Sequence, residues 1–208
     1  MVAFEAFKKK NPNQKTKDEV RAEFEALDRE YSVEDSDLTN RDLESYLQEF
    51  GITVEDIKNK KILDLGSGEQ ELLSKQAEKY GATVFSLNPK LKKWWTRKRL
   101  RGFIFKDPEW KKRSVAATAQ EIPFRNQSFD LVVALFSISP YLAMPENREA
   151  AVKEILRTLK IGGKLLIAPA YFESFSYGPF LTKEAIESLG YRCSVDINEK
   201  RIEIVKLD

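Results

Sequence analysis

The chain has no histidine and only one cysteine among its 208 residues. Without histidine, the Ser-His-Asp and Cys-His arrangements of nucleophilic catalysis are excluded, and so is an ordinary zinc site. The single cysteine, Cys193, excludes a disulfide within the chain and is typical of a reducing compartment, so we expect a cytoplasmic protein. Any general acid or base must therefore be a carboxylate, a lysine, a tyrosine or water.

Long apolar runs are also missing. No stretch approaches the roughly 20 apolar residues of a membrane-spanning helix, and the first residues lack the apolar segment of a secretory signal. We therefore expect no membrane partner. The chain is 42% hydrophobic and 33% charged, which is typical of a globular protein with one full domain and an added cap.

The formal net charge of +2 conceals a segregation of the two signs. Residues 16–56 hold fourteen acids and four bases, whereas Lys90–Arg113 holds eleven bases and two acids. Aromatic residues interleave with those bases, a pattern that suits phosphates and stacked nucleobases, so a nucleic acid or another anionic partner is one interpretation. The alternatives are a helix with a solvated basic face, or a substrate pocket lined by Trp94 and Trp95.

Residues 1–60 are predicted to form a helical cap. A first helix is expected after Thr16, and a second after Thr39 with Gly51 as its end. The apolar face of the second helix would hold Leu43, Tyr46, Leu47 and Phe50. These helices either pack on the main domain or act as a lid over an active site.

From residue 61 to residue 208, strand-like and helix-like segments alternate, which predicts one α/β domain with helices on both faces of a mostly parallel sheet. Strands are expected at residues 61–65, 82–87, 114–117, 130–136, 163–168, 191–197 and 201–207. Helices are expected at residues 70–80, 146–159 and 182–189. A short connection at residues 198–200 predicts that the last two strands form an antiparallel hairpin.

The strongest functional signal is the junction after the first of these strands. The apolar run Ile62–Leu65 stops at Gly66-Ser67-Gly68, and a helix-like pattern follows. A tight strand-to-helix turn at this edge of an α/β sheet is where nucleotides bind. The glycines allow the turn and a close ligand approach, although Gln70 replaces the usual third glycine.

Four stretches, taken in order, resemble the class I S-adenosylmethionine-dependent methyltransferases. They are residues 62–68, residues 119–124 with 128–133, residues 146–159 and residues 159–167. The resemblance implies a Rossmann-like sheet of seven strands in the order 3-2-1-4-5-7-6, with one antiparallel strand. It also implies S-adenosylmethionine as the cofactor and a methyl acceptor as the substrate.

The resemblance further assigns cofactor-binding residues. Asp64 would hold the methionine end of the cofactor, and the loop of Gly66, Ser67 and Gly68 would lie against it. At the end of the second strand the family usually has an acidic residue that binds the ribose hydroxyls of the cofactor. In this chain that position is Asn88. The remaining assigned positions are Thr118, Ala119 and Gln120 at the adenine edge and Leu135 at the end of the fourth strand.

Candidates for a catalytic base are Tyr141 and Glu173. Ser139-Pro140-Tyr141 resembles part of a signature of amino-methylating nucleic-acid enzymes, and a turn with a half-buried tyrosine is the alternative. The departures at Gln70, Asn88 and Thr118 leave open a non-catalytic binding or scaffold protein with the same fold. The basic stretch leaves open an RNA-modifying enzyme that uses it.

Overall fold

The computed structural model describes residues 41–67, 71–89, 113–137, 145–168, 171–172, 175–176, 181–197 and 201–208. Residues 36–208 form one compact unit. The helix predicted after Thr16 and residues 90–112 of the basic stretch lie outside the described residues. The helical cap of residues 1–60 as a separate domain stays a prediction.

Within the described residues, the chain forms an alternating series of strands and helices. The strands are β1 (Lys61–Leu65), β2 (Thr83–Leu87), β3 (Ser114–Val115), β4 (Phe129–Leu135), β5 (Leu159–Ala168), β6 (Tyr171–Phe172), β7 (Phe175–Ser176), β8 (Cys193–Ile197) and β9 (Ile202–Lys206). The helices are α1 (Leu43–Phe50), α2 (Val54–Ile57), α3 (Leu72–Ala77), α4 (Pro145–Thr158) and α5 (Lys183–Glu187), with a 3-10 turn (Glu78–Tyr80) directly after α3.

Seven of the strands form one sheet in the order β3-β2-β1-β4-β5-β9-β8. Strands β1 to β5 are parallel, and β9 runs antiparallel to both β5 and β8. Because β8 and β9 are the predicted sixth and seventh strands, the predicted order is confirmed. The small hairpin of β6 and β7 forms a separate sheet and was not predicted.

Helices cover both faces of the sheet, as the alternating pattern predicted. Along β1, Leu63 and Leu65 pack in a core cluster with Ile155 of α4. Ile62, on the opposite face, packs in a second cluster with Phe50 of α1. Because β1 is buried on both faces, it is an almost continuous apolar run. The one acidic residue in the strand is Asp64.

Helix α1 has clear signals at both ends. The Asp42 carboxylate accepts a hydrogen bond from the Ser45 N–H at 2.9 Å, and the predicted stop, Gly51, adopts a left-handed conformation with φ of 58°. The Leu43 N–H donates to Gln76 of α3 at 2.6 Å. Helix α1 is thereby fixed against α3, with Tyr46 directed to the sheet.

Strand β5 begins earlier than predicted. Its pairing with β4 shifts register between Phe129 and Leu131, because the chain bulges around Gly162, where φ is 74°. The strand was predicted to begin at residue 163, and it begins at Leu159. The glycines at 162 and 163 form an irregularity inside it.

Candidate cofactor site

The turn after β1 is fixed by neighbours on both sides. Gly66 has φ of 80°, and its N–H donates to the Leu87 carbonyl at the end of β2 at 2.8 Å. On the other side the Ser137 hydroxyl donates to the Leu65 carbonyl. A Cβ on residue 66 would lie 2.3 Å from the Ser137 Cβ. Only glycine fits this turn.

Asp64 lies just before that turn with 0% of its surface exposed. The Tyr46 hydroxyl lies 2.9 Å from each carboxylate oxygen and donates to this group. Burial raises the pKa of Asp64 to about 7; the hydrogen bond from Tyr46 and the charge of Arg41 oppose the rise, and the charge of Glu71 adds to it. A cation placed beside this buried carboxyl group would therefore stabilise its ionised form.

Glu71 is a second buried acid near the turn, and the sequence analysis missed it. It precedes α3, is 1% exposed and has a positive φ of 49°. The Ser114 hydroxyl donates to Glu71 Oε2 at 2.8 Å. Two buried acids therefore lie near the turn, close enough for the charge of Glu71 to raise the pKa of Asp64.

Arg41 and Phe136 lie together beside the same turn. The Arg41 guanidinium carbon is 4.5 Å from the centre of the Phe136 ring. Phe136 follows β4 directly, is 40% exposed and has a positive φ of 51°. Burial lowers the pKa of Arg41, while the charges of Tyr46, Asp64 and Glu49 oppose that change. Neither Arg41 nor Phe136 was assigned a role from the sequence.

The other predicted residues lie at the carboxyl edge of the sheet. Ser67 follows the turn and is buried. Asn88 directly follows β2, is 5% exposed, and its N–H donates to the Val115 carbonyl at 2.9 Å. Thr118, Ala119 and Gln120 follow β3 and are half-buried. The carboxyl ends of neighbouring parallel strands share one edge, so these residues lie along the same edge of the sheet as Gly66.

The remaining predicted residues have other placements. Leu135 is 0% exposed in the core, so only its backbone could contact a cofactor. Gly68, Tyr141 and Glu173 lie outside the described residues. Arg113, at the end of the basic stretch, pairs with Glu78 at 2.8 Å.

The segment after Thr118–Gln120 is held by two residues of α4. Arg157 donates to the carbonyls of Ile122 and Phe124 at 2.9 and 2.8 Å, and the Ile122 N–H donates to Glu154 at 3.0 Å. Arg157 and Glu154 are themselves paired at 2.7 Å. These hydrogen bonds position the segment predicted to border the adenine. The only sign of them in the sequence was the pair of opposite charges at Glu154 and Arg157, three residues apart.

Residues 63–167, half of the chain, match the model of a family described as a methyltransferase domain. The chain belongs to this methyltransferase family. The match contains the last three residues of β1, the Gly66 turn, the predicted adenine-edge segment, α4 and most of β5. The resemblance to S-adenosylmethionine-dependent methyltransferases is thus confirmed, and S-adenosylmethionine is the cofactor.

Individual relatives agree with the family. The methyltransferase is 31% identical over 112 residues to the ubiquinone/menaquinone biosynthesis C-methyltransferase UbiE of Shewanella pealeana. That match covers 51% of this chain and only 41% of the relative's length.

Two solved structures share the fold. The PH0226 protein of Pyrococcus horikoshii OT3 has a TM-score of 0.56 at 18% identity, covering 86% of this chain and 98% of that one. A TehB-like SAM-dependent methyltransferase of Corynebacterium glutamicum has a TM-score of 0.53 at 18% identity, covering 77% and 92%.

The residues of the methyltransferase fit this cofactor. A carboxylate offers about four acceptor positions, and in the described part of the chain only the Tyr46 hydroxyl donates to Asp64. Ser86, which pairs with Asp64 in the sheet, has a buried hydroxyl without a partner in the described part of the chain. The ammonium group of the cofactor's methionine end would satisfy the carboxylate that the fold leaves partly unpaired.

Two other kinds of feature are absent from the described residues. None of their helices has the length and apolar character needed to cross a membrane. They also contain no group of three or more Cys, Asp or Glu side chains placed to hold a metal ion.

Proposed function

We propose that the protein binds S-adenosylmethionine along the carboxyl edge of β1, β2 and β3 and directs its methyl group to an acceptor held in the same crevice. The single observation that carries this proposal is the buried Asp64 carboxylate directly before the Gly66 turn. The bound cofactor supplies an electrophilic methyl group on a sulfonium, whose departure as a neutral thioether needs no histidine.

The chain's own contribution is binding and alignment. Asp64 would hold the ammonium of the methionine end, and the backbone at Gly66 and Ser67 would lie against the cofactor. The Asn88 side chain would meet the ribose hydroxyls, and its neutral amide accepts more weakly than a carboxylate does. The half-buried segment after β3 would border the adenine. Holding donor and acceptor in line lowers the barrier without an acid or base.

A thermal-shift titration with S-adenosylhomocysteine tests the proposal. A ligand at about 100 times its dissociation constant adds roughly 2.7 kcal/mol to the free energy of unfolding. For a chain of this length that corresponds to a rise in Tm of roughly 5–10 °C. Folded protein that shows no shift with millimolar ligand would contradict the proposal and favour the non-catalytic scaffold.

For the acceptor, we propose an anionic molecule, with RNA as the case to test first. The support is the excess of bases in Lys90–Arg113. RNA binding should weaken with salt at a log–log slope of about −0.7 per phosphate contact on single strands. Changing Lys93, Arg97 and Arg101 to Glu should remove this binding and leave cofactor binding unchanged.

Charge reversal elsewhere gives the matched control for that experiment. Lys58, Lys153 and Lys183 are roughly half-exposed and form surface pairs with acids. Their reversal should leave RNA binding intact. If the unaltered protein shows no RNA shift even at low salt, the acceptor is not RNA.

A cytoplasmic location is also part of the proposal, supported by the single buried cysteine, and cell fractionation tests it.

A further inference from the structure

Arg41 carries a half-buried charge that the described part of the chain does not neutralise. Its guanidinium lies against the face of Phe136 at 4.5 Å, and in the described residues it makes no ion pair or hydrogen bond. Removing a charge from water without a partner is costly. A guanidinium with five N–H donors in a planar fork matches a carboxylate best.

The contacts of Arg41 place this charge beside the Gly66 turn. Arg41 lies two residues before α1, and Tyr46 of the same helix donates to Asp64. Its other contact, Phe136, adjoins Ser137, which packs against Gly66. The charged and titratable groups that act on Arg41 are Asp64, Tyr46 and Glu49, and none of them forms an ion pair with it in the described residues.

The conformation of Phe136 supports a functional role for the contact. A positive φ at a non-glycine residue costs about 1–2 kcal/mol, and such strain concentrates at ligand sites. At φ of 51°, Phe136 keeps its ring under the Arg41 guanidinium and remains partly exposed. The ring contact leaves the five N–H donors of Arg41 without an acceptor among the described residues.

We propose that Arg41 binds the carboxylate of the cofactor's methionine end, while Asp64 binds the ammonium on the same carbon atom. An unpaired cation and a partly unpaired buried carboxylate beside one turn match the two charges of an amino-acid zwitterion. The proposal rests on the proposed function, since it names the subsite of that cofactor.

Three ligands that differ in their charged groups test the contribution of each charge to binding. S-adenosylhomocysteine carries both the carboxylate and the ammonium, its decarboxylated analogue carries the ammonium alone, and 5′-methylthioadenosine carries neither. Their affinities for the unaltered protein are measured by calorimetry. We expect decarboxylation to weaken binding about 10- to 100-fold, as the loss of a charge-assisted hydrogen bond predicts.

The variant Arg41→Ala should weaken S-adenosylhomocysteine binding by the same factor and leave the affinities of the other two ligands unchanged. Arg41→Lys should restore part of the loss, since it keeps the charge without the fork. The matched control is Arg192→Ala, because Arg192 is a mostly exposed arginine that pairs with Asp208 at 3.2 Å. This control should leave all three affinities unchanged.

Several outcomes would overturn the inference. Equal weakening of all three ligands by Arg41→Ala would show that Arg41 only supports the fold. If Arg41→Ala leaves S-adenosylhomocysteine binding unchanged, Arg41 does not bind the cofactor's carboxylate, and its partner is another anion, such as the acceptor. The comparison of the three ligands on the unaltered protein remains valid even if the variant does not fold. If the unaltered protein binds the decarboxylated analogue as tightly as S-adenosylhomocysteine, the proposal is wrong. If none of the three ligands binds, the proposed function itself fails.

Discussion

Replacement of Gly66 by alanine should destabilise the protein by about 2–5 kcal/mol and remove measurable binding of S-adenosylhomocysteine. Two costs add. A left-handed backbone costs a residue with a Cβ about 1–2 kcal/mol, and overpacking a closed site costs about 1–3 kcal/mol. The second cost arises because the new Cβ would lie 2.3 Å from the Ser137 Cβ. Chemical denaturation and calorimetry measure the two effects.

Gly162→Ala is the matched control for the backbone cost. Gly162 has φ of 74°, and a Cβ there would have no atom within 4 Å, so this variant reports the backbone cost alone. The double variant Gly66→Ala with Ser137→Gly should recover the steric part, since it removes the opposing Cβ. If Gly66→Ala is no more destabilising than Gly162→Ala, the close approach between β1 and the segment after β4 does not constrain the turn.

Local patterns in the sequence predicted most of the architecture. The helix α1 follows from apolar residues at helical spacing and a glycine stop, and Gly51 has the left-handed conformation that this signal requires. Strand β1 follows from an apolar run that ends at a glycine. The strand order was implied by the resemblance alone, because the order of strands along the chain does not specify which of them are neighbours in the sheet.

Contacts between separate elements could not be predicted in the same way. Tyr46 was assigned to the apolar face of its helix, and Asp64 was assigned to the cofactor loop. Nothing in either pattern indicates that they meet across 18 residues of chain. Arg41 and Glu71 stand in no periodic pattern, and their roles depend on what the folded sheet brings beside them. The hairpin of β6 and β7 is too short for a period of two to be recognised.

Asp64→Asn should separate the contribution of this residue to stability from its contribution to binding. An asparagine oxygen can still accept the hydrogen bond from the Tyr46 hydroxyl, so the fold keeps this contact. The variant buries a neutral group where the protein buries a carboxylate, and at about pH 8 its Tm should match or exceed that of the unaltered protein. S-adenosylhomocysteine binding should weaken about 10- to 100-fold, since the ammonium loses its charged partner.

Asp130→Asn is the control for that substitution. Asp130 lies at the opposite edge of the sheet, where it pairs with Lys160 at 2.7 Å and accepts from the Lys61 N–H at 2.9 Å. Its hydrogen bonds lower its pKa, although burial opposes them. This variant should lose stability and keep its affinity for the ligand. A lower Tm with unchanged binding in Asp64→Asn would assign Asp64 a structural role only.

The pH dependence gives a second, independent test of Asp64. Its pKa of about 7 in the folded protein lies above the ordinary value of 3.8, so the folded state holds this proton more tightly than the unfolded chain does. The stability from this group is therefore complete below about pH 4, is lost as pH rises to about 7, and changes no further above that. Tyr46 stays neutral throughout this range, because burial raises its pKa well above 10, and Arg41 keeps its charge.

Ligand binding should follow the opposite trend, because the cofactor's ammonium requires the ionised carboxylate. Affinity for S-adenosylhomocysteine should rise about tenfold per pH unit up to about pH 7 and then level off, so binding at about pH 5.5 is roughly 30-fold weaker than at pH 8. Asp64→Asn should flatten both curves. If affinity falls together with stability as pH rises, the ammonium does not lie on Asp64, and the orientation proposed for the cofactor is wrong.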